Sequence, residues 1–173
     1  MSRISPAAIL LFLALAMPAS ADDMFIPSRG ALEPADRLVL RKSERSLALY
    51  RGGRPLKTYR VSLGLSPEGH KEREGDFRTP EGRYMLTWRN PQSEYFLSIK
   101  VSYPNAEDEA NARRNGWRPG GAIMIHGLPN VPRHPRERYL STDWTDGCIA
   151  VSNEDMLEIW LLTEPNTPIE ILP

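Results

Sequence analysis

The chain contains one cysteine and three histidines, and these side chains hold most of the chemistry its sequence offers. Cys148 closes the segment Thr145-Asp146-Gly147-Cys148 and leads into the apolar stretch Ile149-Ala150-Val151. A thiol where a polar loop meets an apolar segment sits at the end of a rigid element, which suits a nucleophile. Gly147 permits a tight backbone and close approach of a substrate. The N–H groups of Gly147 and Cys148 are candidates for an oxyanion hole. A thiol of pKa about 8.5 is only a few per cent ionised at neutral pH, so it needs a base or a cation beside it.

His70 and His134 lie in polar, charged loops. His126 ends the apolar run Ala122-Ile123-Met124-Ile125 and is followed by Gly127. A histidine at the mouth of a core strand is both held and reachable, which makes His126 the candidate base. Taken alone, it reads sooner as a core histidine satisfied by backbone, and a lone cysteine reads as readily as a small buried apolar group. The pairing of the two strengthens the chemical reading.

The elements that position this pair are mostly strands. Arg37 to Lys42 and Ser46 to Tyr50 read as strands, with Gly52-Gly53 as a turn. Lys57 to Leu63 alternates, with Tyr59, Val61 and Leu63 on one face. Gly64 to Arg78 is a polar loop, Thr79 to Gly82 a turn, and Arg83 to Thr87 and Phe96 to Val101 further strands. Ala122 to Ile125 suits a buried strand. Asn105 to Asn115 is a surface helix with a capping Asn105, early acids, late arginines and Gly116 to end it. A second helix starts near Ser152 or Asn153, sets Met156, Ile159 and Trp160 on one face, and stops at Pro165. Thr167 to Leu172 is a final strand. The proline-studded stretch Arg133 to Arg138 is expected to be a solvated loop.

Arg3, an apolar run from Ala7 to Met17, and Ala19-Ser20-Ala21 form the pattern of a signal peptide over residues 1–21, with cleavage before Asp22. The apolar run is shorter than the roughly 20 residues that span a bilayer, and no transmembrane segment is expected in the mature chain. Residues 22–35 read as an irregular mature N-terminus and 36–173 as one domain. With 22 basic and 22 acidic residues in the whole chain, nothing points to nucleic acid. An exported domain with one cysteine makes no internal disulfide, which leaves a thiol for intermolecular pairing or for reaction.

The two segments resemble the signature of the L,D-transpeptidase catalytic domain, also called the YkuD domain. That signature is a histidine-glycine at a strand end, a variable loop, then Ser/Thr-His-Gly-Cys. Here it reads Ile125-His126-Gly127 and Thr145-Asp146-Gly147-Cys148-Ile149. A second similar segment runs Gly75-Asp76-Phe77-Arg78-Thr79-Pro80-Glu81-Gly82-Arg83-Tyr84. The likeness covers residues 36–173. It implies a mainly β, sandwich-like fold with few helices, with no metal and no organic cofactor; the signal-peptide pattern places the expected location in the periplasm or at the cell wall. The likeness implies a cysteine transpeptidase that acts on peptidoglycan stem peptides, releases terminal D-Ala through a thioester and passes the acyl group to an amine. Resolution of that thioester by water would make an L,D-carboxypeptidase instead. A third reading is a wall-binding module with a spent site. β-Lactams of the carbapenem class would be attacked by the same sulfur.

By the same resemblance, Cys148 is the nucleophile, His126 the base, the Gly127 carbonyl orients the imidazole, and amides near Gly147 and Cys148 hold the oxyanion. The sequence departs from the pattern at Asp146, where the family has histidine, and at Ala150, where it has Arg or Asn. A carboxylate beside the thiol disfavours thiolate, so Asp146 is expected to be compensated by a loop N–H or by protonated His126, or simply to cap a turn. Thr145 and Trp144 are expected to border the substrate groove or to pack. The loops Gly64 to Arg78 and Leu128 to Arg138 are expected to frame it.

Overall fold

The computed structural model describes residues 33–173. The expected signal peptide over 1–21, and residues 22–32 of the irregular N-terminus, lie outside the described residues. Among the described residues, no helix is long and apolar enough to cross a membrane.

Strand β1 (Arg37–Arg41) pairs antiparallel with β2 (Ser46–Arg51), and β2 with β3 (Arg54–Arg60). Gly52 and Gly53 join β2 to β3 with φ of 55° and 78°, the two positive values that a type I′ hairpin turn demands. The alternation past β3 continues as sequence predicts, with Tyr59, Val61 and Leu63 buried. Ser62 is buried too, because its face is covered: its hydroxyl donates to the Tyr139 carbonyl at 2.7 Å.

Strand β4 (Gly82–Ser93) is far longer than the expected Arg83 to Thr87. Its first half pairs with β8 (Pro168–Leu172) and its second half with β5 (Phe96–Val101), with register shifts between Leu86 and Arg89 and between Asn90 and Ser93. The C-terminal β8 inserts between β1, to which it is parallel, and β4, to which it is antiparallel. Strands β6 (Met124–His126) and β7 (Ile149–Ala150) complete the order β3-β2-β1-β8-β4-β5-β6-β7. Just past β3, Ser62 then bridges Ala150 of β7 through two 2.8 Å hydrogen bonds. The two ends of the eight-stranded sheet therefore meet, and the sheet wraps around one apolar core that includes Leu38, Leu49, Leu86, Ile125 and Ile149. The mainly β, sandwich-like expectation holds.

Helix α1 (Ala106–Arg114) follows the sequence reading closely. Asn105 accepts from the N–H groups of Glu107 and Asp108, Asp108 returns the bond to the Asn105 N–H, and only Asp108 and Ala112 are buried. Helix α3 (Asn153–Leu162) starts from a Ser152 cap and buries Met156 and Ile159. Two expectations fail. Ala122 is exposed with φ +54°, so the strand begins at Met124. The stretch read as a solvated loop instead enters helix α2 (Arg136–Ser141). Pro135 presets the backbone before its first turn, and Tyr139 anchors it by burial.

Candidate active site

Cys148 and His126 are brought together by the parallel pairing of β6 and β7, which sets Ile125 against Ile149 and His126 against Ala150. His126 is also the partner of Ser98 on β5, so its backbone is held from both sides. Only 4% of His126 is exposed. Its Nδ1 lies 2.7 Å from the Gly127 carbonyl oxygen. A carbonyl can only accept, so Nδ1 carries the proton and Nε2 presents its lone pair.

Gly127 is required by crowding. A Cβ there would meet Asn153 Oδ1 at 2.6 Å and Phe96 Cβ at 3.0 Å. Asn153 Oδ1 also accepts from the Leu128 N–H at 2.8 Å, and the Gly127 N–H donates to the carbonyls of Tyr95 and Leu97. The carbonyl that orients the imidazole is thus fixed by two neighbouring segments, residues 95–97 and Asn153.

The imidazole is enclosed by two aromatic rings. Tyr95 lies 4.7 Å from it between centroids and Trp144 lies 5.6 Å away, edge to face. The indole N–H of Trp144 donates to the Tyr139 carbonyl at 3.0 Å, so α2 holds the indole in place. Burial pushes the His126 pKa down to about 4, against the opposing pull of the Gly127 hydrogen bond.

The cysteine segment is stapled by Thr145, which is buried. Its hydroxyl donates to the Cys148 carbonyl at 2.8 Å and accepts from the Gly147 N–H at 3.1 Å. The Gly147 amide is therefore engaged, whereas the Cys148 N–H has no partner among the described residues. Gly147 has φ 126°, and a Cβ would come within 2.5 Å of the Arg78 carbonyl oxygen, so no other residue fits. Upstream, Asp143 accepts from the Arg45 guanidinium and from the Leu63 N–H at 2.8 Å, which fixes the approach to the motif.

The loop Gly64 to Arg78 supports the cysteine from behind; it does not line the cleft. Asp76 organises it by accepting from Lys71 Nζ at 2.7 Å and from the N–H groups of Glu72, Arg73 and Arg78. Burial alone would raise the Asp76 pKa, but these bonds outweigh it and hold the carboxyl below its ordinary value. Lys42, 2% exposed, ties the same loop to the turn through the Gly69 and Thr79 carbonyls and Glu81.

Cys148 is half-buried, and its thiol lies 3.5 Å from the Ala122 carbonyl oxygen. The positive φ of Ala122 is thus at the residue whose carbonyl faces the sulfur. Burial raises the thiol pKa and the Asp146 carboxylate adds to this, with opposing help from the Met124 N–H and Lys71. The resting pair at neutral pH is therefore an un-ionised thiol and a neutral imidazole. Asp146 itself is exposed at the cleft rim, with no hydrogen bond to a loop N–H or to His126 among the described residues. Neither form of the expected compensation is present.

A cleft of about 400 Å³ contains Cys148, His126, Thr145, Asp146 and Trp144. A larger hollow of about 720 Å³ adjoins it, sharing Glu94, Tyr95 and Trp144, and is walled by Pro129, Asn130, Val131, Arg133 and His134 of the loop expected to frame the groove. Sequence reasoning missed Tyr95 and Glu94. They sit in the turn between β4 and β5, and an aromatic in an otherwise polar turn was the available signal. Among the described residues, no three His, Cys, Asp or Glu side chains converge as a metal site.

YkuD, the L,D-transpeptidase catalytic domain, matches residues 35–171. YafK of Escherichia coli (strain K12), named as a candidate L,D-transpeptidase, is 31% identical over 147 residues, covering 76% of this chain and 51% of YafK. The chain spans about half the length of the curated relatives it matches. The helical cell shape determining protein Pgp2 from Campylobacter jejuni aligns with a TM-score of 0.61 at 27% identity, over 78% of this chain and 46% of Pgp2. LdtMt1, an LD transpeptidase solved in complex with imipenem, aligns with a TM-score of 0.50 at 16% identity, over 79% of this chain and 58% of that one, a likeness of fold.

Proposed function

The chain belongs to the L,D-transpeptidase catalytic-domain family, and from that premise we propose that it is an exported cysteine transpeptidase of peptidoglycan stem peptides. The observation that carries this reading is the shared cleft of Cys148 and His126, with the imidazole tautomer fixed by the Gly127 carbonyl. Because both groups rest neutral, His126 acts as a general base during attack, without a standing ion pair. Nε2 takes the thiol proton as Sγ attacks the carbonyl of the third residue of a tetrapeptide stem. The Cys148 N–H donates to the developing oxyanion. The intermediate collapses, His126 returns the proton to the departing amine, and D-Ala leaves. An amine of a second stem then attacks the thioester and passes its proton to His126; the C–S bond breaks, and His126 returns that proton to the departing Cys148 sulfur. Carbapenems are expected to acylate the same sulfur.

A second reading keeps every step to the thioester and resolves it with water, as an L,D-carboxypeptidase. It is favoured by the exposed walls of the adjoining hollow, since residues 129–134 give water ready access beside Trp144. Incubation of the protein with disaccharide-tetrapeptide muropeptides, with Cys148→Ala as control, separates the readings by product mass. A cross-linked dimer lacking one D-Ala supports transfer, and tripeptide alone supports hydrolysis. No product from folded wild-type protein would overturn both.

A further inference from the structure

Behind the cysteine loop, three stretches of chain pack backbone against backbone. A Cβ at Gly64 would come within 2.0 Å of the Phe77 carbonyl oxygen and 3.1 Å of Gly147 Cα, and one at Gly147 within 2.5 Å of the Arg78 carbonyl oxygen. Gly147 has no side chain to restrict its own torsions, so its φ of 126° is imposed by its neighbours. Thr145 holds its N–H, and the Arg78 carbonyl closes the space behind its Cα. The peptide that leaves Gly147 carries the Cys148 N–H, the amide with no partner among the described residues. Asp76, its side chain 9% exposed, is what holds Arg78. Its Oδ1 accepts from the Arg78 N–H at 3.1 Å and from Lys71 Nζ at 2.7 Å, and its Oδ2 from the Glu72 and Arg73 N–H groups at 2.8 Å and 3.0 Å. Between Asp76 and Arg78, Phe77 is bent to φ 56°, a conformation that an aromatic residue keeps only where its surroundings over-determine it. The Phe77 carbonyl accepts from the Ser66 N–H at 3.1 Å.

We propose that Asp76 is a positioning residue for acyl transfer: through the Phe77–Arg78 backbone it holds Gly147 in the conformation that presents the Cys148 N–H to the developing oxyanion. The inference rests on the thioester chemistry proposed above and deepens it. Asp76 does not line the cleft, and it acts on the one step in which negative charge builds on oxygen. Both carboxylate oxygens are needed. A single amide oxygen can serve Arg78 and Lys71, or Glu72 and Arg73, but not both pairs. Asp76→Asn therefore sets an NH2 group against two donors and lets the turn relax.

Two reactions of the same sulfur separate this role from a merely structural one. p-Nitrophenyl acetate acylates Cys148 through a tetrahedral oxyanion: a C–S bond forms, the ester C–O bond breaks and p-nitrophenolate leaves. Iodoacetamide alkylates the sulfur by direct displacement of iodide, with no oxyanion. In Asp76→Asn the burst of p-nitrophenolate, corrected with Cys148→Ala, is expected to slow about tenfold, a part of the roughly 10²- to 10³-fold that loss of a whole oxyanion donor costs. The alkylation rate should stay within about twofold of wild type and its pH midpoint should not move, since that reaction uses only the thiolate. Equal losses in both reactions, or an alkylation midpoint moved to the roughly 8.5 of a free thiol, would make Asp76 a residue of the fold alone and overturn the inference. A burst that Asp76→Asn leaves unchanged overturns the inference and keeps the proposed reaction. Absence of a burst in the wild type removes the thioester chemistry and the inference with it.

Discussion

Replacing Trp144 with alanine should move the acidic limb of the pH–rate profile upward. The imidazole of His126 is ordinarily half-protonated near pH 6.5, and burial brings this to about 4. At about 1.36 kcal/mol per pH unit, that gap is a preference of about 3 kcal/mol for the neutral ring. Two aromatic walls, Tyr95 and Trp144, exclude water from it. Removing the indole opens one wall and should recover about one pH unit, or about 1.4 kcal/mol. The profile of kcat/KM, which reports the free enzyme, should therefore break near pH 4 in the wild type and about one unit higher in Trp144→Ala. Trp144→Phe retains the wall but loses the bond to the Tyr139 carbonyl, and its limb should stay near the wild-type position. Titration of the His126 Cε1–H signal by NMR gives the same quantity without substrate. A wild-type limb near pH 6.5, or one that Trp144→Ala leaves in place, would refute the enclosure argument.

The same burial has a consequence for stability. Because the folded pKa of His126 lies below its unfolded value, its contribution is full above about pH 6.5 and is lost as pH falls toward 4. Unfolding titrations should show wild type losing about 3 kcal/mol more than His126→Gln between pH 7 and 4; parallel curves would contradict the assigned burial. Gly147→Ala forces a left-handed φ and a 2.5 Å approach to the Arg78 carbonyl, and should cost about 2 to 3 kcal/mol with loss of activity. A melting temperature equal to wild type would show that the motif loop is free to shift. Lys42→Met leaves Glu81 and the Gly69 and Thr79 carbonyls without their donor, and should cost about 3 kcal/mol, at the lower end for a broken buried pair because Glu81 reaches solvent. Denaturant unfolding within about 0.5 kcal/mol of wild type would show that water replaces the ammonium without penalty.

The elements with strong local signals were legible in the sequence. The Gly52-Gly53 hairpin, the capped α1 and the His126-Gly127 and Gly147-Cys148 pairs each declare themselves within a few residues. What was not legible is set by distant contacts. Helix α2 has only Tyr139 to bury, and its six residues carry no full period. Ala122 leaves the strand because the chain must turn its carbonyl toward Cys148, a demand that its apolar neighbours conceal. Tyr95 becomes part of the site only because β4 bends and returns as β5 beside His126. Lys42 looks like a surface residue at a strand end until the loop Gly64 to Arg78 closes over it.

The central claim is that Cys148 carries the acyl group with His126 as its base. Intact-protein mass spectrometry after acid quench of the protein mixed with stem tetrapeptide reads this directly. The account predicts an adduct of the tripeptide acyl mass, mapped to Cys148, absent in Cys148→Ala and formed far more slowly in His126→Gln. Turnover without any adduct on Cys148, or at an equal rate in Cys148→Ala, would contradict it.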